Sequence, residues 1–296
     1  MYTSNTSAKR GIYIDFSCPL FIVHRKGSAM LFGAIVGDIA GSVYEGRKYE
    51  IWPDSIEFFD DRAHFTDDTV MTVAVAQAIL DHVATGEYLS DLAIRRMQEF
   101  GRKYQHRGYG QQFIQWVYSE NPEPYDSWGN GGPMRVSPCA WACSSLDDVL
   151  RMAHDVTVVS HNHPEALKVS AALASAIYLA RTGSTKEEIR QHIIENYYPM
   201  DFTLDTINSE WRYGCSSQET VPYALEAFFE ANSFEETVRL AISIGGDCDT
   251  NASMAAAIAE AFYGVPPYIV NQLDGYLTEH LAKTIHAFND MFEKKD

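Results

Sequence analysis

Apolar residues recur at helical spacing through most of the chain. After Met30 the first patterned segment brings one set of apolar residues to a single face: Leu31, Phe32, Ile35, Val36, Ile39 and Ala40. Residues 70–83 and 167–180 are apolar nearly all round, which is typical of central, buried helices. Alternation with a period of two is scarce. The pattern therefore predicts an all-α fold.

Capping residues predict further helices. Thr185 with Glu188, and Ser233 with Glu236, fit the box in which a hydroxyl and a carboxylate satisfy the first amides of a helix. A helix of small residues is expected at 252–262, and an amphipathic one at 281–292. The longest irregular stretch is expected at 101–135, which is rich in Gly, Tyr, Asn, Pro and Trp.

The first 29 residues have a different pattern. Asp15 and Pro19 interrupt their apolar run, which argues against a secretory signal, and Met30 opens the strongly patterned segment. We expect an N-terminal extension at 1–29, either native or lying upstream of a native start at Met30. No linker divides the remainder, so we expect a single compact all-helical domain at 30–296.

Composition narrows the classes of function. The chain has 40 Asp and Glu against 23 Lys and Arg, a formal net charge of -17, which disfavours general nucleic-acid binding. No apolar run is long enough to predict a membrane-spanning helix. The five Cys form no CxxC pair, which favours free thiols in a reducing compartment and predicts the cytoplasm. Oligomeric state is left open.

Two acidic motifs of similar design precede buried helical segments. They are Phe65-Thr66-Asp67-Asp68-Thr69 and Gly245-Gly246-Asp247-Cys248-Asp249-Thr250-Asn251. Helix capping accounts for one such residue in each. Further carboxylates beside apolar helices need a positive partner, and hard divalent cations bind carboxylate and hydroxyl oxygens. Four Asp and two Thr therefore suit a paired Mg²⁺ or Mn²⁺ site.

Other metal sites fit less well. Neither motif contains His, which disfavours zinc. The second motif begins like a calcium-binding EF-hand loop, but Ala252 stands at the required Gly and Ile258 at the terminal Glu.

Three further elements are candidate parts of a site. Glu45 follows the helix-stopping Gly41 and either overhangs a site or is a solvated acid, and Asp38 within that helix is ambiguous. Residues 127–135 contain Gly129, Gly131 and Gly132 and form either a tight turn or a loop that presents amides to a diphosphate. His161 is either structural or a ligand contact.

Six motifs, in this order, resemble the ADP-ribosylglycohydrolase family: GDIAGSVYEG, FTDDTVMT, GYGQQF, SWGNGGPMRVSP, SHNHPEA and ISIGGDCDTNAS. The resemblance covers nearly everything after Met30. It implies an orthogonal all-helical bundle with a two-metal centre in which Asp249 bridges the ions. The ligands that it implies are Thr66, Asp67 and Asp68 from the first acidic motif and Asp247, Asp249 and Thr250 from the second. It also implies that Glu45 lies near the metals on a mobile loop.

The same resemblance implies the substrate contacts, namely Ser127, Gly129, Asn130 and Gly131 along the diphosphate and ribose, and His161 near the bound ADP-ribose. The sequence departs from the family pattern at Gly132-Pro133, which stiffens residues 127–135, called the glycine loop below. The implied reaction is metal-dependent hydrolysis of the bond between ADP-ribose and an acceptor, on an ADP-ribosylated protein or a small molecule. Glu45 or Asp68 is the candidate general base.

Two other functions are retained as alternatives. One is a catalytically inactive member of the family that binds ADP-ribose, although the complete acidic motifs argue against it. The other is an HD-type metal phosphohydrolase, suggested by His154-Asp155, which leaves both acidic motifs unexplained. A serine hydrolase is disfavoured because no G-x-S-x-G elbow occurs.

Overall fold

A computed structural model describes residues 30–46, 51–209 and 215–293 of the protein. The predicted extension at 1–29 lies outside the described residues. The boundary between that extension and a domain at 30–296 therefore stays a prediction.

The described residues form helices joined by loops, and their only strand-like pairing is an isolated bridge between Gly129 and Ser216. The prediction of an all-α fold is confirmed. In chain order the helices are α1 (Phe32–Gly41), α2 (Asp67–Thr85), α3 (Leu89–Lys103), α4 (Gln111–Tyr118), α5 (Ser137–Ala142), α6 (Leu146–Val158), α7 (Pro164–Arg181), α8 (Lys186–Asn196), α9 (Leu204–Ser209), α10 (Ser217–Glu230), α11 (Phe234–Ser243), α12 (Cys248–Tyr263), α13 (Pro267–Val270) and α14 (Glu279–Phe292). Short 3₁₀ turns occur at Pro53–Ser55, Pro133–Arg135 and Leu273–Gly275.

Helix α12 is central and packs against α1, α7, α10 and α11. Its contact with α1 is backbone to backbone because Gly33, Gly37 and Gly41 face it. A methyl group on Gly37 would lie 2.6 Å from the amide nitrogen of Ser253 and closer still to the carbonyl of Ala252. Glycine at these positions therefore sets the separation of two helices that both carry acidic residues of the candidate site.

The predicted capping residues are found at helix starts. Thr185 and Glu188 form the complete box at α8. Ser233 accepts a hydrogen bond from the amide of Glu236 at α11, but the Glu236 carboxylate accepts from the amide of Asn232 rather than from Ser233. The second box is therefore only half formed.

The expectation of one irregular stretch at 101–135 is wrong in part. Helix α3 continues to Lys103, and α4 occupies Gln111–Tyr118. Within α4, Phe113, Trp116 and Val117 are buried, at the i, i+3 and i+4 spacing of an amphipathic helix. The flanking Gly, Tyr and Pro residues obscured this short period in the sequence.

The described part of the chain also bears on the cysteines and on membrane insertion. Cys139, Cys143, Cys215 and Cys248 are free, as predicted, whereas Cys18 lies outside the described residues. No helix in the described ranges has both the length and the apolar character needed to cross a membrane.

Candidate active site

Three helix ends meet at the candidate site: the C-terminal end of α1 and the N-terminal ends of α2 and α12. Thr66 is the N-cap of α2 and accepts a hydrogen bond from the amide of Asp68, while Asp247 is the N-cap of α12. Asp68, Asp249 and Thr250 lie in first turns rather than ahead of the helices. The carboxylates of both acidic motifs therefore lie at the positive ends of two helix dipoles.

The carboxylates form two groups that share one residue. Oxygens of Asp38, Asp68 and Asp249 lie within 4.8 Å of one another, and so do oxygens of Glu45, Asp247 and Asp249. Asp249 belongs to both groups. The fold therefore joins motifs separated by about 180 residues in the sequence into one acidic cluster.

The hydrogen bonds within the cluster leave acceptors unused. Asp68 Oδ2 accepts from the hydroxyl of Thr250 at 3.0 Å. Asp68 Oδ1 is buried and has no partner among the described residues. None of the ion pairs formed by the described residues involves these carboxylates.

Burial raises the pKa values of Asp68 and Asp249 well above the ordinary aspartate value, and neighbouring carboxylates raise them further. Such crowding destabilises the charged forms unless a cation compensates. Carboxylate and threonine oxygens, one of them buried and unpartnered, form the donor set that hard divalent cations prefer. The residues present therefore fit a divalent metal centre.

Asp38 is a member of this cluster that the sequence left ambiguous. It is completely buried on α1, where its oxygens accept hydrogen bonds from the amides of Thr66 at 2.9 Å and Thr69 at 3.0 Å. The hydroxyls of both threonines also donate to it, that of Thr66 at 2.6 Å. An acid on the apolar face of a helix was the available signal, but its partners in α2 could not be read from the sequence.

The remaining predicted metal ligand is placed differently. Asp67 is half-buried, lines the adjoining cavity and is in neither group of three carboxylates. Its amide donates to the carbonyl of Arg107 at 2.7 Å, and its Oδ1 faces Gly108. Glu45 lies in the turn after α1, where the amide of Gly46 donates to the carbonyl of Gly246 at 3.0 Å. That bond ties the Glu45 turn to the second acidic motif.

A cavity of about 890 Å³ extends from the acidic cluster along the glycine loop. This volume is within the usual range for small-molecule sites. The predicted binding residues Ser127, Gly129, Asn130, Gly131 and His161 all line it, together with Glu45, Asp67, Asp247, Asp249 and Thr250. The structure thus brings the candidate substrate residues and four of the six candidate metal ligands to one cavity, which Thr66 and Asp68 do not line.

The glycine loop is held by its own hydrogen bonds. Ser127 Oγ accepts from the amide of Gly129 at 3.2 Å, and the amide of Asn130 donates to the carbonyl of Cys215 at 3.1 Å. Asn130 Nδ2 also donates to Asp247 Oδ2 at 2.8 Å, which links the loop to the acidic cluster. Because protein acceptors occupy the amides of Gly129 and Asn130, fewer loop amides face a ligand than the sequence suggested.

His154 and Asp155, on which the phosphohydrolase alternative rests, lie away from this cavity. Their Nδ1 and Oδ1 atoms are 3.5 Å apart on α6, and His154 is exposed. Neither residue lines the cavity. Among the described residues, neither belongs to a group of three side chains that could hold a metal ion, so nothing there supports an HD-type site.

The sequence model described as ADP-ribosylglycohydrolase matches residues 23–295. Among curated proteins, the chain is 29% identical to "ADP-ribosylhydrolase ARH3" of Bos taurus, covering 86% of this chain and 91% of that protein. It is 28% identical to ARH3 of Homo sapiens, with the same coverage. Identity to "ADP-ribosylarginine hydrolase Tri1" of Pseudomonas putida is 24%, covering 92% of this chain and 80% of that protein.

A solved structure supports the fold. A chain of an "ADP-ribosylglycohydrolase-related protein complex" superposes with a TM-score of 0.67 at 24% identity, over 89% of this chain and 96% of that chain. At this identity the likeness bears on the fold alone.

Proposed function

Because the chain belongs to the ADP-ribosylglycohydrolase family and is a hydrolase of glycosyl bonds, we propose that it uses two divalent cations, Mg²⁺ or Mn²⁺, to release ADP-ribose from an acceptor. The observation that carries the metal dependence is the pair of carboxylate groups sharing Asp249, with the buried, unpartnered Oδ1 of Asp68 between the helix ends. Glu45, Asp247 and Asp249 of these groups line a cavity of about 890 Å³.

The cations would be held by oxygens from the two acidic motifs: Thr66, Asp67, Asp68, Asp247, Asp249 and Thr250. Divalent cations at such a site supply Lewis-acid polarisation and neutralise negative charge. The protein positions the ligands through α2 and α12, whose first turns fix Asp68 and Asp249. Asn130 of the glycine loop donates a hydrogen bond to Asp247, so the loop proposed to bind the substrate contacts a proposed metal ligand directly.

Hydrolysis at an anomeric carbon passes through an oxocarbenium-like state and needs a base to activate water. Of the two candidates, Glu45 is the better base. It lines the cavity and accepts no hydrogen bond from the described residues, whereas Asp68 is buried and accepts from the hydroxyl of Thr250. We therefore assign proton abstraction to Glu45 and a ligand role to Asp68.

The substrate side of the cavity would be formed by Ser127, Gly129, Asn130, Gly131 and His161. The rings of Phe113, Tyr125 and Trp128 also line it. An ADP-ribosylated protein or small molecule is the proposed substrate. Arginine is the first acceptor to test, because the relative Tri1 is named as an ADP-ribosylarginine hydrolase. The free thiols favour the cytoplasm as the compartment.

The test is release of free ADP-ribose from ADP-ribosylated arginine, serine and nucleic-acid substrates. Each reaction is run with Mg²⁺ or Mn²⁺ and after EDTA, using the native chain and the variants Asp249→Asn and Glu45→Gln. Asp155→Asn, which changes an acid on α6 outside the cavity, is the matched control. Glu45→Gln should lower kcat by about 10²–10⁴-fold if it removes a general base.

Metal-dependent release that is abolished by Asp249→Asn and retained by Asp155→Asn would support the proposal and identify the acceptor. Release that is unaffected by EDTA would contradict the metal centre. Metal-dependent binding of ADP-ribose without release from any substrate would instead favour the inactive, ADP-ribose-binding alternative.

A further inference from the structure

Arg135 is an unusual cation in an acidic protein because it is fully buried and forms no ion pair among the described residues. One of its nitrogens, Nη2, donates to the carbonyl of Val156 at 3.0 Å and to Ser160 Oγ at 2.7 Å. Burial lowers the pKa of Arg135 to about 10, so the side chain remains a charged donor near neutral pH. Its best-defined side-chain contact is therefore Ser160.

Ser160 connects Arg135 to His161. Its hydroxyl is completely buried and lies 2.8 Å from His161 Nδ1. Because a guanidinium can only donate, Ser160 Oγ must accept from Arg135, and its own hydrogen remains available. Nδ1 is the one acceptor that the described residues offer to this hydrogen. If Nδ1 carried a proton instead, the Ser160 hydroxyl would be a buried donor without a partner, an unfavourable arrangement.

The opposite edge of the imidazole faces the glycine loop. A methyl group on Gly131 would lie 3.1 Å from His161 Nε2, and one on Gly129 would lie 3.9 Å from it. The rings of Tyr125 and Phe113 flank the imidazole, with centroids 5.6 Å and 6.2 Å away. Burial, and then the charge of Arg135, lower the pKa of His161 well below its ordinary value. The ring is therefore a neutral group with one edge toward the cavity.

We propose that Arg135 is a positioning residue which, through Ser160, holds His161 as the tautomer protonated at Nε2. The imidazole then donates a hydrogen bond to an acceptor oxygen of the ligand that lies against the glycine loop. A charged donor at one end of the chain polarises the hydroxyl and the imidazole in turn, which strengthens the last donor. The neutral imidazole of His161 thus offers an anionic ligand a fixed hydrogen-bond donor. Among the described residues, Arg135 then remains the one cation buried for this purpose. The identity of the ligand, ADP-ribose, rests on the proposed function, but the tautomer does not.

The tautomer is measured by NMR of the ligand-free protein labelled with ¹⁵N-histidine. Protonated and unprotonated imidazole nitrogens have well-separated ¹⁵N shifts, and His161→Gln identifies the signals of this ring among the ten histidines. The expected spectrum has Nε2 protonated and Nδ1 unprotonated. Ser160→Ala should give a mixture of tautomers, whereas Ser160→Thr, which keeps the hydroxyl, should preserve the native spectrum. Arg135→Met should also give a mixture.

A native ring protonated at Nδ1, or an Ser160→Ala spectrum identical to the native one, would overturn the proposal. Ser160→Ala and Ser160→Thr keep Arg135 in place, so the result does not depend on the folding of the arginine variant.

The donor role is measured by calorimetric titration with ADP-ribose in the presence of Mg²⁺. Ser160→Ala should weaken binding by roughly 3- to 10-fold, the range for one lost hydrogen bond, and Ser160→Thr should bind like the native protein. Equal affinity of all three proteins would overturn the donor role. If ADP-ribose fails to bind the native protein while the tautomer is as expected, the proposed function fails and the positioning of His161 stands.

Discussion

Asp38 shows how one buried side chain organises another element of the site. Its oxygens accept hydrogen bonds from both the amide and the hydroxyl of Thr66 and of Thr69. Burial raises the pKa of Asp38, and the four donors act against that rise. The residue therefore fixes the N-terminal turn of α2 and orients Thr66, a proposed metal ligand, without lining the cavity itself. Mutation of a partner that orients a metal ligand typically lowers metal affinity or activity by about 10- to 100-fold.

At the residue scale, Asp38→Asn is expected to lower metal affinity and catalysis together. In the variant, the side-chain nitrogen of asparagine replaces one carboxylate oxygen and cannot accept the hydrogen bonds that this oxygen accepts in the native protein. Thr66 therefore loses its fixed orientation. We expect the Mg²⁺ concentration for half-maximal activity to rise by about 10- to 100-fold. The measurement is ADP-ribose release against Mg²⁺ concentration, with Asp155→Asn as the control. An unchanged Mg²⁺ dependence would mean that Asp38 has no part in the site.

At the scale of elements, the contact of α1 with α12 determines where the carboxylates meet. The backbones approach because Gly33, Gly37 and Gly41 have no side chain, and a methyl group on Gly41 would overlap Asp249. The carboxylate of Glu260 on α12 also accepts a hydrogen bond from the amide of Phe32 at 2.9 Å. This contact takes the place of a side-chain N-cap, which α1 lacks. The two helices are therefore joined at both ends of α1.

Gly37→Ala is expected to destabilise the protein by about 1–3 kcal/mol, the range for an overpacked core position. The added methyl would displace α12, and this effect outweighs the helix propensity of about 1 kcal/mol gained by replacing glycine with alanine. Gly275→Ala is the control because a methyl group there meets no atom within 4 Å. Urea unfolding measures the change in the free energy of unfolding for each variant. The comparison requires that the native protein and both variants have equal m-values. A Gly37→Ala protein as stable as the Gly275→Ala protein would contradict the close-contact interpretation.

For the whole molecule, buried carboxyl groups make stability depend on pH. Glu260 is completely buried, and this burial raises its pKa from the ordinary 4.5 to about 8. Backbone amides at the start of α1 act against that rise. Between these two values the folded protein binds one more proton at this site than the unfolded chain does. Stability therefore falls as pH rises through the window and stops falling above the folded pKa.

Glu260→Gln should remove this contribution and flatten the dependence. One proton corresponds to a loss of about 1.4 kcal/mol per pH unit in the free energy of unfolding. We expect the native protein to lose stability relative to Glu260→Gln at about that rate between pH 5 and pH 8. Urea unfolding at several pH values measures the difference in stability between the two proteins. Because both proteins contain the aspartate cluster, its contribution cancels and the difference reports on Glu260. Glu120→Gln, in an exposed loop, should parallel the native curve. Parallel curves for all three proteins would refute the assignment to Glu260.

Much of the architecture could be predicted from local pattern. The all-round apolar segments became α2 and α7, and Thr185 caps α8 as expected, because periodicity and capping depend on neighbouring residues alone. Helix α4 was missed since only three buried residues define its period between loops. The sequence indicated that the two acidic motifs belong together through their similar design and through the family resemblance.

By itself, the sequence determined that the chain is helical, that two acidic motifs begin buried helices, and that residue types suited to divalent cations are present. The family resemblance had implied a bridging position for Asp249, which the structure places in both carboxylate groups. Only the tertiary structure decided that Asp38 orients Thr66 and that Arg135 reaches His161 through Ser160. The physical reason is the range of the interactions. Helix periodicity and capping act over a few residues, whereas the carboxylate groups depend on how closely α1, α2 and α12 pack, and that packing joins positions far apart in the chain.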